Sequence, residues 1–244
     1  MRLHPKWGTL REACGATPLK DLMQLLTRAP SLVVRQHSGT LLLALAIVLT
    51  SVVAGTLSDT RHTRLVETFG FDLDALQHLR FWAIPFSPFV QGDNGVGVEF
   101  WGLMALTSVA LGLLNWRTTQ LWTFTIFFGT HAISAVLAIL LLLLIAKAGS
   151  SEAKALLHTP DTGVSACAYG SLAAAFVLFR GPSRAVLVAA LSAWLVASFF
   201  YERLDVAITH TIAASVGAAV AFLKPWVPRE SSRPIALAPE GVRR

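Results

Sequence analysis

Only two of the 244 residues are cysteine and only 14% are charged. Cys14 lies in a basic N-terminal stretch and Cys167 inside an apolar run, so neither a disulfide framework nor a CxxC metal site can be built, and no redox compartment follows from them. The scarcity of charge is uneven. Six apolar stretches, Gly39–Leu57, Phe100–Leu114, Leu121–Ala146, Gly163–Phe179, Ala185–Tyr201 and Val206–Leu223, contain no Asp, Glu, Lys, Arg or Pro. Strand-like alternation and GxSxG are also missing, which argues against a hydrolase nucleophile elbow.

What is present is hydrophobicity: 54% of the chain is apolar and it gathers in runs of membrane-span character. The expected fold is therefore all-α, a polytopic bundle of six transmembrane helices. The net charge of +6 is carried by the tails and short loops, without a basic stripe interleaved with aromatics, so nucleic acid is not the expected partner. With both tails inside, 14 Lys/Arg fall on the inner side and 6 on the outer, the asymmetry of the positive-inside rule. The expected location is the cell membrane with both termini cytoplasmic.

Three regions follow. Residues 1–38 form a basic cytoplasmic tail in which "TPLKDLMQLLTR" places Leu19, Leu22, Met23 and Leu26 on one face of a short helix suited to the lipid interface. Residues 39–223 form the membrane domain. Residues 224–244, rich in Pro, Arg and Ser, are expected to be a disordered tail. Between the first two spans, "LRFWAIPFSPF" clusters aromatics around two prolines, the composition of a loop sunk into the interface.

Polar side chains inside a bilayer are costly and therefore candidates for function. His131 and His210 lie within spans, and Ser165 opens the fourth span. At about 1.5 Å per residue, Ser165 and His210 sit roughly 3 Å and 6 Å below the same outer surface, whereas His131 lies nearer the midplane. Ser165 shares a helix face with Tyr169, and His210 shares one with Ala213, Ala214 and Gly217, small residues that let helices approach. A serine within reach of an imidazole is the minimum for a base-activated nucleophile. The bland reading of the same residues is helix packing with a backbone-bonded histidine. Asp161 and Thr162 read as N-caps of the fourth helix. No span holds a carboxylate, so the pair would be a dyad.

These residues resemble the rhomboid family of intramembrane serine proteases. The family's G-x-S motif at the start of the fourth helix is matched by "GVSACAYG", with Gly163, Ser165, Tyr169 and Gly170. Its sixth-helix histidine motif is matched by "HTIAASVG", with His210 and Gly217. The likeness covers about Gly39 to Leu223 and is strongest in the last three helices. It implies Ser165 and His210 as catalytic residues, Tyr169 as the ring orienting the histidine, and Gly163, Gly170 and Gly217 as packing positions. It implies no metal or cofactor; the partners are the lipid bilayer and the transmembrane helix of a protein substrate or client. Departures are Ala166 and Ala213 in place of glycines. The family's His and Asn at the start of the second helix, which help bind the oxyanion, are replaced by Phe100 and Met104. A catalytically inactive rhomboid-like protein that binds other membrane helices is the rival expectation. A transporter fits less well, since the spans lack charged residues and proline breaks.

Overall fold

A computed structural model describes residues 30–92, 97–179 and 181–223, with side chains from residue 38 onward. The amphipathic helix expected between Thr17 and Arg28, Cys14 and the tail after 223 lie outside the described residues. Among the described residues the secondary structure is helical, apart from one isolated bridge between Phe71 and Asp161.

The elements in chain order are α1 (Pro30–Gly55), α2 (Asp59–Phe69), α3 (Leu73–Gln77), α4 (Ala83–Phe86) with a 3-10 turn at Ser87–Phe89, α5 (Val98–Arg117), α6 (Gln120–Lys147), α7 (Ser151–Leu156), α8 (Ser165–Leu178), α9 (Pro182–Ser198) and α10 (Leu204–Phe222). Every expected span coincides with a helix, with differences at the ends. α1 starts nine residues before Gly39, α5 extends past its apolar run at both ends to Val98 and Arg117, and α9 begins three residues before Ala185. Local chemistry accounts for these ends. Gly181 takes a positive φ of 73° and Pro182 follows at the first turn of α9, where its missing N–H is not needed. Thr119 caps α6 by accepting from the Trp122 N–H at 3.4 Å.

Four helices are long and apolar enough to cross a membrane: Ser38–Gly55 within α1, Val98–Arg117, Gln120–Lys147 and Leu204–Phe222. Their outward surfaces agree with that reading. Leu41, Leu42, Leu45, Leu49 and Val53 stand exposed on α1, a contiguous apolar face that water would not tolerate.

The two shorter apolar helices differ in environment. α8 has 14 residues, of which 12 are buried. Its sequence SACAYGSLAAAFVL is rich in Ala, Gly and Ser, so neighbouring helices pack close to its backbone. α5, α6 and α10 surround it, and a rise of about 1.5 Å per residue makes it shorter than the hydrocarbon core. α9 is the opposite case: among its residues Ser198 alone is buried.

The long connection between α1 and α5 folds onto the bundle. Phe81, Trp82 and Phe86 are about half exposed, and Phe69 packs edge-on against Trp82 and Phe86 with ring centroids 5.8 and 5.9 Å apart. Ser87 and Pro88 are buried beneath them.

Asp161 and Thr162 do not cap α8. The position preceding the helix is Val164, without a side-chain cap. Asp161 is instead engaged through its backbone: its N–H donates to the Phe71 carbonyl at 2.9 Å and its carbonyl accepts from Phe71 at 3.0 Å. That bridge ties the connection before α8 to the link between α2 and α3.

Candidate active site

Ser165 is the first residue of α8. It is delivered there by Gly163, whose φ of +98° favours glycine and whose N–H donates to the Ser87 carbonyl at 3.0 Å. A side chain at Gly163 would also press on Gln91, since a Cβ there would lie 3.0 Å from Gln91 Oε1. As an N-terminal helical residue, Ser165 keeps a backbone N–H with no intrahelical acceptor, aimed out of the positive end of the helix.

His210 lies in the second turn of α10 and is buried. The Tyr169 ring covers it, with centroids 4.3 Å apart and planes at 31°. Tyr169 is fixed in turn: its hydroxyl accepts from Trp194 Nε1 of α9 at 2.6 Å. Nδ1 of His210 stands 3.2 Å from Oε2 of Glu202, in the turn between α9 and α10. Nε2 is buried and has no hydrogen-bond partner among the described residues. Ser165 and His210 are therefore not hydrogen-bonded to each other in this state.

The close helix contact sets the register of the two. At Gly217 of α10 a Cβ would overlap the Gly170 carbonyl of α8, and Gly170 Cα would lie 3.0 Å away. Gly170 is equally confined on its other side by the Thr130 side chain of α6. Measured from this contact at about 1.5 Å per residue, Ser165 lies roughly 7.5 Å and His210 roughly 10.5 Å toward the helix N-termini, about 3 Å apart in height. Ala213 and Ala214 are buried along the same seam.

The wall contributed by α5 is apolar. Met104 is buried with Val164 and Cys167, and Phe100 packs on the same cluster, so these two positions offer no side-chain donor to an oxyanion. The Gly163 N–H is already engaged by Ser87. The donors that remain are the backbone N–H groups in the first turn of α8, that of Ser165 among them, which lack intrahelical acceptors.

His131 belongs to a separate buried pair. Its Nε2 is hydrogen-bonded to Ser87 Oγ at 2.7 Å, which anchors the 3-10 turn to α6. Through the Ser87 carbonyl the same residue holds the Gly163 N–H. His131 thus braces the loop that delivers Ser165 from below.

In the connection ahead of α8, burial pushes the Asp161 carboxyl up to about 7, the negative charge of Asp205 adds to the shift and Arg203 opposes it. Asp161 Oδ2 is buried without a hydrogen-bond partner among the described residues. Asp205 is paired with Arg203 at 2.6 Å. Among the described residues no group of three or more His, Cys, Asp or Glu is arranged to hold a metal ion.

Two residues of this site escaped the sequence reading. Glu202 lies outside every apolar run, and the available signal was its place eight residues before His210 in the turn ahead of α10. Ser87 reads as a loop residue among aromatics, and its tie to His131 joins positions 44 residues apart. No family model matches the chain, and no curated protein matches it.

Proposed function

We propose that this chain is a rhomboid-like intramembrane serine protease of the cell membrane, with six membrane-crossing helices and both termini cytoplasmic. α8 and α9 then cross as short helices, α8 shielded by its neighbours rather than exposed to lipid. The observation that carries the reading is the imidazole of His210: it is covered by Tyr169, bonded at Nδ1, and left with an unpartnered Nε2 close to the height of Ser165.

Nε2 takes the Ser165 hydroxyl proton as Oγ attacks the carbonyl carbon of a peptide bond in a substrate's membrane segment. The Ser165 N–H faces the oxyanion that forms. The intermediate collapses when the imidazolium returns that proton to the leaving nitrogen, which departs as an amine. Water entering from the outer face then attacks the acyl ester, with His210 again acting as base.

A second reading has its own support: a rhomboid-like protein that binds other membrane helices without cutting them. The missing hydrogen bond between Ser165 and His210 and the apolar Phe100 and Met104 wall favour it. Losing one oxyanion donor costs about 100-fold to 1,000-fold in turnover, so the protease reading implies slow cleavage.

The two readings part on a reconstitution experiment. The full chain and its Ser165→Ala variant are placed in lipid vesicles with single-span peptides whose membrane segments contain helix-breaking residues, and products are read by mass spectrometry. Proteolysis requires cleavage within the membrane segment by the parent protein and none by the variant. Equal co-purification of peptide with both proteins, without cleavage, overturns the protease reading and favours the binder.

A further inference from the structure

We infer that Glu202 is the third member of this site, a positioning residue that turns the expected Ser–His dyad into a Ser165–His210–Glu202 triad. The inference rests on the reading of Ser165 as nucleophile and His210 as its base. The carboxylate Oε2 lies 3.2 Å from His210 Nδ1, and a carboxylate there accepts a hydrogen bond from the Nδ1–H. The nitrogen protonated in a neutral imidazole is set by the hydrogen bond that the ring makes. An acceptor at Nδ1 therefore leaves Nε2 with its lone pair free, which is the form a serine base requires.

Burial makes the carboxylate more than a tether. The His210 side chain is 6% exposed and that of Glu202 20%. An imidazolium formed at so enclosed a position is costly unless a counter-charge is at hand. Glu202 supplies one from the edge of the bundle, where part of its own hydration survives. Its backbone is fixed as well, since the Glu202 N–H donates to the Ser198 carbonyl at 2.8 Å, so the carboxylate is carried by a turn tied to the C-terminal end of α9. The histidine is then held on two sides, by Tyr169 against its face and by Glu202 at Nδ1. The unpartnered Nε2 is what this arrangement leaves for the serine.

The test has a structural arm and a kinetic arm, both on the full chain in detergent micelles. In Ser165→Ala protein carrying 15N-histidine, the His210 signals are assigned by their loss in His210→Gln. They should report a protonated Nδ1 and an unprotonated Nε2, and adding Glu202→Ala should abolish that preference. A preference unchanged by Glu202→Ala overturns the proposal whether or not the protein is an enzyme. In the kinetic arm, Glu202→Ala should slow labelling by a fluorophosphonate serine probe by about 100-fold to 10,000-fold, the range set by removing the carboxylate of a serine triad. Glu202→Gln, which keeps the size of the side chain, should lose at least roughly tenfold while its thermal midpoint stays near that of the parent. Labelling at the parental rate in both variants overturns the proposal. A parent protein that never labels but shows the Glu202-dependent histidine signals sinks Ser165 as nucleophile and leaves the pairing standing.

Discussion

The Tyr169 ring lies 4.3 Å from the His210 imidazole, centroid to centroid, and its hydroxyl accepts a 2.6 Å hydrogen bond from Trp194. One side chain thus links the core helix α8, the His210 imidazole on α10 and the exposed helix α9. Its two functions separate by substitution. Tyr169→Phe keeps the ring and loses the Trp194 bond, so it should lower stability by about 1 kcal/mol and leave serine-probe labelling nearly unchanged. Tyr169→Ala frees the imidazole and should slow labelling by about 100-fold, the cost of a displacement near 1 Å at a reacting group. Equal labelling rates in the two variants would show that the ring does not hold the histidine.

Gly217 meets Gly170 backbone to backbone, so a methyl group there has no flexible neighbour to displace. Gly217→Ala should destabilise the protein by about 1 to 3 kcal/mol or more as α8 and α10 separate. Gly112 provides the contrast: it lies within α5 and a Cβ there meets nothing within 4 Å. Gly112→Ala should be neutral or stabilising by up to about 1 kcal/mol. Thermal unfolding in detergent compares them, and a Gly217→Ala midpoint at or above the parental one contradicts the close approach.

Ser87 links His131 to the loop ahead of Ser165. Ser87→Ala leaves His131 Nε2 buried without its partner, next to an Nδ1 that has no partner among the described residues. The expected cost is about 1 to 3 kcal/mol, visible as a lower thermal midpoint. Ser87→Thr keeps a hydroxyl and should recover part of it. An unchanged midpoint in Ser87→Ala would remove His131 as an anchor.

Asp161 makes stability depend on pH. Its folded value, about 7, lies above the ordinary 3.8, so the folded state holds the proton more tightly than the unfolded chain. The stabilisation linked to that proton is fully present below about 3.8 and is lost as pH rises through about 7. Asp161→Asn removes the ionisation and keeps the backbone bridge to Phe71. The variant should show a flatter midpoint between those limits and exceed the parent above them. Parallel profiles for the two proteins would place the Asp161 carboxylate in water.

The apolar runs made the positions of the helices legible, because a charge-free stretch of such length has few other stable conformations. The shared height of Ser165 and His210 was also legible, since helix rise converts sequence spacing into depth. Asp161 was misread because local capping chemistry lost to a pairing with Phe71, 90 positions earlier, which no local pattern announces. Glu202 was passed over for a related reason. A search for carboxylates inside the spans omits the turn at their mouth, where a charge keeps part of its hydration and still reaches a buried ring.

The central claim is that His210 activates Ser165. Its most direct measurement is fluorophosphonate labelling of the parent protein, Ser165→Ala and His210→Ala, with the modified peptide identified by mass spectrometry. The account predicts an adduct on Ser165 in the parent and none in either variant. A parent that stays unlabelled while an active serine protease in the same micelles reacts, or an adduct that survives His210→Ala at the parental rate, contradicts it.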